Sequence, residues 1–179
     1  MSGAARALRH WIESADHGLM RRFHGWIAPP WFRWWMVAST RAGDGWLWYA
    51  AGAVLVAAGG TSGRLAAAEA LAACAVAILL FQFLKRKAGR RRPCELAPHC
   101  WARILPPDEF SFPSGHTMTA FAAAGPIAAH FPQAAPMLYF CAGSIALSRV
   151  ALGMHFLSDV LAGSLLGWLI GNLAHRLLS

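Results

Sequence analysis

Charge is scarce in this sequence, and negative charge scarcest: eight Asp and Glu stand against 16 Lys and Arg, and 13% of the 179 residues are charged in all. A soluble globular chain carries about 25%. Hydrophobic residues make up 57% and mean hydropathy is +0.42, which excludes intrinsic disorder. Cysteine is also sparse. Cys74, Cys94, Cys100 and Cys141 lack metal-ligand spacing and are too few for a disulfide scaffold. Cys74 and Cys141 fall in apolar runs; Cys94 and Cys100 share one loop and could pair in an oxidising compartment, although nothing requires it. Arg6 and Arg9 are followed by Trp11, Glu13 and Asp16 with no apolar h-region, so this stretch does not read as a cleavable signal peptide. No internal repeat, low-complexity tract or linker divides the chain. The net charge of +8 would ordinarily point to nucleic acid. In so apolar a chain, membrane lipid or a phosphorylated ligand is the better partner, and no nucleic acid is expected.

What the sequence has in abundance is long apolar runs. A bilayer core of about 30 Å takes about 20 helical residues. Residues 65–84 fit it, interrupted only by Glu69, and 114–131, 136–152 and 156–177 follow; 46–58 is apolar but short. Residues 1–45 differ, with six arginines and a crowd of tryptophans from Trp26 to Trp48. Tryptophan favours the membrane–water boundary, so this basic stretch, broken at Pro29-Pro30, reads as an interfacial amphipathic segment. The expectation is an all-α integral-membrane helical bundle of five spans, with 1–45 at the interface and 46–179 as the membrane domain. A sixth span over 26–42 is the alternative, and it would bury Arg33.

Alternation of five spans brings three clusters to one membrane face: Lys85 with Arg92-Pro93, Pro113-Ser114-Gly115-His116, and Ser148-Arg149 with His155 and Asp159. His155 and Asp159 lie four apart at the start of a helix and share a face. A carboxylate on one imidazole nitrogen fixes the tautomer and leaves the other nitrogen as nucleophile. Ser114 and Gly115 open a helix whose free amides and dipole favour an anion. Lys85, Arg92 and Arg149 suit the oxygens of a transferring phosphoryl group. His116 is placed to protonate a leaving oxygen. The assembly reads as a phosphoryl-transfer centre that needs no metal and no cofactor.

Other polar residues receive plainer readings. Arg86, Lys87, Arg90 and Arg91 read as interfacial anchors, and Asp44 as a turn residue between two glycines. His99, His130 and His175 have no partner at useful spacing and read as boundary residues. Glu69 is expected near the opposite interface, beside Arg64. His10, His17 and His24 form a solvated stripe rather than a metal site.

The three clusters, in this order and spacing, resemble the signature of the type-2 phosphatidic acid phosphatase superfamily across residues 85–159. The resemblance implies a helical bundle with its motifs gathered at one end. His155 would form a phosphohistidine, His116 would act as acid and then as base for water, and Asp159 would orient His155. Lys85, Arg92, Arg149, Ser114 and Gly115 would cradle the phosphate, without metal. Phosphatidate, phosphatidylglycerophosphate and undecaprenyl diphosphate are the substrates it implies; five short spans without an extra domain suit an isoprenoid-diphosphate or a glycerophospholipid phosphatase, and undecaprenyl diphosphate is the preferred reading. A phosphotransferase delivering the group to a lipid hydroxyl is an alternative, as is a non-catalytic lipid-binding or transport protein. Sidedness is in tension: all Lys and Arg except Arg64 and Arg176 fall on the catalytic face, which the positive-inside rule would make cytoplasmic. The resemblance implies an outward site in a bacterial inner membrane, and that orientation is adopted here.

Overall fold

The computed structural model describes residues 3–96 and 108–179. Their regular structure is helical, apart from an isolated bridge between Arg91 and Phe110. The helices are α1 (Gly3–Gly25), α2 (Pro30–Arg41), α3 (Leu47–Ala58), α4 (Gly60–Ala88), α5 (Pro93–Leu96), α6 (Gly115–His130), α7 (Ala135–Ala151) and α8 (Leu157–Leu178). The pairing of Cys94 with Cys100 involves a residue outside the described ones, as does His99.

Among the described residues, three segments are long and apolar enough to cross a bilayer: Gly60–Ala88, Pro132–Ala151 and Leu157–Leu178. Helix α6 has 16 residues, about 24 Å at 1.5 Å per residue, and α3 has 12. Both are shorter than a full bilayer core. Helix α6 is the central element, its Ala- and Gly-rich surface buried among α4, α7 and α8. Large apolar side chains face outward instead, including Leu71, Leu79, Phe140, Leu161 and Leu165. That inversion is what lipid as solvent allows, since hydrocarbon tails are as apolar as leucine.

Pro29-Pro30 separates α1 from α2, and Pro30 occupies the first turn of α2, where a missing N–H costs nothing. Helix α2 then packs into the bundle: Phe32 and Met36 are buried against Ala151, Leu152 and Met154. A π-helical turn at Ala42–Trp46, kinked at Gly45, carries the chain into α3.

The closest packing joins α6 to α8 through glycines at every fourth residue. A Cβ at Gly163 would lie 2.8 Å from the Ser114 carbonyl oxygen, one at Gly167 2.2 Å from that of Met118, and one at Gly171 2.7 Å from that of Ala122. Backbone thus meets backbone from Ser114 to Gly125. Gly167→Ala should therefore destabilise the protein by about 1–3 kcal/mol through overpacking. The expected readout is a lower midpoint of thermal unfolding in detergent. Gly52→Ala, whose Cβ meets nothing within 4 Å, should not lower it.

Candidate active site

The site is built where α4, α6, α7 and α8 end or begin on one side of the bundle. Helix α7 stops two residues after Arg149, and Gly153 at φ 67° reverses the chain so that the amides of Met154 and His155 both donate to the Arg149 carbonyl at 3.0 Å. A residue with a Cβ would be strained there. The turn places His155 beside the guanidinium of Arg92.

Three cations are buried here: Arg92 at 0% exposure, Arg149 at 2% and Lys85 at 7%. Arg149 donates from Nη1 to Thr40 Oγ1 at 2.5 Å, while its Nε and Nη2 have no hydrogen-bond partner among the described residues. Arg92 donates from Nε to the Asp108 carbonyl and from Nη2 to Asp108 Oδ1, both at 2.7 Å, and from Nη1 to the Met154 carbonyl at 2.8 Å. Lys85 Nζ lies 2.6 Å from Asp108 Oδ2. Burial pushes the Asp108 carboxyl up, but the hydrogen bonds and charges of Lys85 and Arg92 outweigh it and hold the group below its ordinary range. Asp108 is therefore an ionised counterion.

His155 is 2% exposed and its Nε2 lies 3.1 Å from Arg92 Nη1. Arginine can only donate, so Nε2 is the unprotonated nitrogen and Nδ1 carries the hydrogen. Nδ1 faces Asp159 Oδ2 at 3.7 Å, longer than a hydrogen bond. Burial, then the charges of Arg149, Arg92 and Lys85, hold the His155 imidazole well below its ordinary value of about 6.5. The ring is neutral at neutral pH and remains so well into acid.

Asp159 is more heavily engaged than its spacing to His155 foretells. Oδ2 accepts the Phe156 amide at 2.8 Å, capping α8, and Oδ1 takes Arg90 Nη1 at 2.6 Å. Arg90 also bonds Ser158 Oγ at 2.7 Å and Asp16 Oδ2 at 2.7 Å, and its guanidinium lies 4.1 Å from the Phe156 ring centroid. Arg90 is thus no interfacial anchor. It ties the carboxylate beside His155 to Asp16, a buried residue of α1.

His116, in the first turn of α6, has Nε2 2.8 Å from Asp44 Oδ1. Asp44 does sit in a turn, as its glycine neighbours imply, but that turn aims its carboxylate at the imidazole. Arg149 and Lys85 act electrostatically on both His116 and His155. Ser114 departs from expectation in one respect: its amide donates to the Asp159 carbonyl at 3.2 Å, and its hydroxyl pairs with Thr117 Oγ1 at 2.9 Å. The amides left without an intrahelical acceptor are those of the first turn, beginning at Gly115.

All eight candidate residues, Lys85, Arg92, Ser114, Gly115, His116, Arg149, His155 and Asp159, therefore lie at one end of the bundle. Sequence spacing missed Asp44, Asp108, Arg90 and Asp16. A cavity of about 750 Å³ opens beside three of the eight, Lys85, Gly115 and His116. Lys85, Asp44, Asp108 and His116 are among its polar lining, and Trp48, Ile78, Phe81 and Cys74 among its apolar lining. Lys85 and Cys74 are about 16 Å apart along α4.

Residues 64–179 match the family model of the PAP2 superfamily. The chain is 40% identical over 104 residues to phosphatidylglycerophosphatase B of Bacillus subtilis, covering 51% of this chain and 48% of that protein. It is 35% identical over 107 residues to decaprenylphosphoryl-5-phosphoribose phosphatase of Mycobacterium tuberculosis, covering 60% and 56%. These matches take in about half the length of the curated relatives. The fold is similar to the crystal structure of a transmembrane PAP2 type phosphatidylglycerolphosphate phosphatase from Bacillus subtilis, with a TM-score of 0.71 at 28% identity, covering 93% of this chain and 85% of that one. Motif order, buried cationic site, helical architecture and family match agree: the chain belongs to the PAP2 superfamily.

Proposed function

We propose that this protein is a membrane lipid phosphatase that hydrolyses a phosphate ester or diphosphate through a phosphohistidine on His155. The observation that carries the reading is the buried trio Lys85, Arg92 and Arg149, with two Arg149 donors unpartnered, beside a neutral imidazole whose Nε2 is unprotonated. Buried guanidinium donors without acceptors are costly, and phosphoryl oxygens are their natural partners.

In the first step His155 Nε2 attacks phosphorus while the bond to the leaving oxygen breaks, and His116 gives that oxygen its proton. Lys85, Arg92, Arg149 and the first amides of α6 hold the three equatorial oxygens. In the second step His116 takes a proton from water, whose oxygen displaces His155 and releases inorganic phosphate. Asp44 holds Nε2–H of His116 and favours the protonated ring that must act as acid. Asp159 lies on the Nδ1 side of His155, where positive charge develops during attack. The protein's own cations supply the charge stabilisation, so the reaction proceeds without a divalent metal.

The cavity supports a lipid substrate, since Lys85 and His116 line it together with aromatic and aliphatic side chains of α3 and α4. The two named relatives act on different lipid phosphates, and undecaprenyl diphosphate remains our preferred substrate among those and phosphatidate. We further propose five spans in a bacterial inner membrane, residues 46–179 as the phosphatase domain, and 1–45 at the headgroup level. Trp11, Trp26, Trp31 and Trp34 are exposed in that segment. With the site facing outward, reporter fusions after residue 131 and at residue 179 should both signal cytoplasm. A periplasmic signal from either would reverse the orientation.

Purified protein should release phosphate from a lipid phosphate or diphosphate panel with EDTA present, and His155→Ala should abolish release. The parent's kcat/KM should not fall as pH is lowered through 6.5, where an ordinary imidazole would protonate, because deprotonated His155 is the nucleophilic form and burial holds its pKa low. A strict magnesium requirement, or full activity in His155→Ala, would refute the proposal.

Asp44→Asn should reduce kcat on an alkyl lipid phosphate by roughly 10- to 100-fold, within the range of general acid catalysis. A p-nitrophenyl ester, whose leaving group departs without a proton, should be affected far less. Equal losses on both would remove Asp44 from the acid step.

A further inference from the structure

At the opposite end of the bundle lies a second polar cluster that the phosphate chemistry does not use. Glu69 of α4 is 1% exposed. Its Oε1 lies 3.0 Å from His130 Nε2, at the end of α6, and its Oε2 2.9 Å from His175 Nδ1, in the last turn of α8. The two imidazole rings meet edge to face, with centroids 5.0 Å apart. The expectation that His130 and His175 lack partners is thus corrected, as is the pairing of Glu69 with Arg64, which is exposed. Glu69 is about 24 Å from Lys85 along α4, and His130 about 21 Å from His116 along α6.

We propose that Glu69, His130 and His175 form a structural zinc site that clamps α4, α6 and α8 together. One ligand atom from each residue can be chosen so that all three lie within 4.8 Å of one another. A tetrahedral zinc with bonds of 2.0–2.2 Å needs its ligand atoms roughly 3.3–3.5 Å apart, so each side chain moves by little. Two imidazoles and a carboxylate with water in the fourth position are the donor set of open zinc sites; here its ligands come from three helices, so the bound ion would tie those helices together. His130 would coordinate through Nε2 and His175 through Nδ1, each ring keeping its proton on the other nitrogen.

Charge is compatible with a cation. With both rings neutral, the cluster carries the single negative charge of a buried carboxylate; one imidazolium would neutralise it, and with both rings protonated two like charges stand ring to ring. One divalent ion compensates the carboxylate while leaving both imidazoles neutral. Access is available, because the His175 side chain is 30% exposed and that of His130 14%. The three ligands come from the helices that carry Lys85, His116 and Asp159 at their other ends, so the clamp would fix the far end of the same bundle.

The test uses the tag-free full chain in detergent. Elemental analysis should find about one zinc per chain, and cobalt loaded in its place should give the visible absorption of a four-coordinate ion. Glu69→Gln and His175→Ala should each weaken zinc binding by more than the roughly 10–100-fold typical of an outer-shell change. Should Glu69→Gln fail to fold, the more exposed His175→Ala carries the comparison. A chelator should lower the thermal midpoint of the parent and leave that of His175→Ala unchanged. His155→Ala should bind zinc like the parent, which separates this site from the phosphatase reading. No uptake by the parent, or uptake undiminished in His175→Ala, would overturn the proposal.

Discussion

The candidate site exists because the backbones of α6 and α8 touch. Glycines at 163, 167 and 171 let the α6 carbonyls of Ser114, Met118 and Ala122 come within a distance that a methyl group would block. This contact aligns the first turn of α6 with the first turn of α8, so that the Ser114 amide reaches the Asp159 carbonyl. Spread the two helices by the width of one side chain, and the Ser114 amide no longer reaches the Asp159 carbonyl. In a bilayer, no hydrophobic force draws helices together, so close packing of this kind must supply the cohesion.

The second constraint is electrostatic. Three cations buried at one end of the bundle repel one another in a medium far less polar than water. The protein relieves this with few groups. Asp108 bridges Lys85 and Arg92, Thr40 accepts one Arg149 hydrogen, and the Arg149 carbonyl is occupied by the amides of the Gly153 turn. The remaining donors give the pocket its appetite for an anion. Asp159 and Arg90 form a separate, self-satisfied pair on the other side of His155, and Asp16 anchors that pair to the N-terminal helix.

The bundle and the convergence of its motifs were legible in the sequence because both rest on local rules. Hydropathy marks the apolar helices, and an even number of crossings returns the chain to the same face. Asp44, Asp108, Arg90 and Asp16 were not legible, since each acquires its role from a partner far along the chain: His116, Arg92, Asp159 and Ser158 respectively. Glu69, His130 and His175 escaped for the same reason, one on each of three helices. The glycine stripe left a visible signal, a four-residue recurrence in an apolar helix, which spacing analysis of charged residues passes over. Helix α2 shows a different limit. Its tryptophans mark an interface, yet Phe32 and Met36 on its other face belong to the core, and only the position of α7 reveals that.

The cavity beside Lys85 has a consequence for how such a protein meets its ligand. In the lipid phosphatase proposed above, the Lys85 end would sit at headgroup depth and the apolar walls along α4 would lead toward the bilayer midplane, so a bound amphiphile would keep its tail in hydrocarbon throughout. Encounter would then happen by diffusion within one leaflet. Turnover would track how crowded the leaflet is with that amphiphile, its surface mole fraction, and diluting the vesicles in buffer at constant composition would leave that quantity untouched.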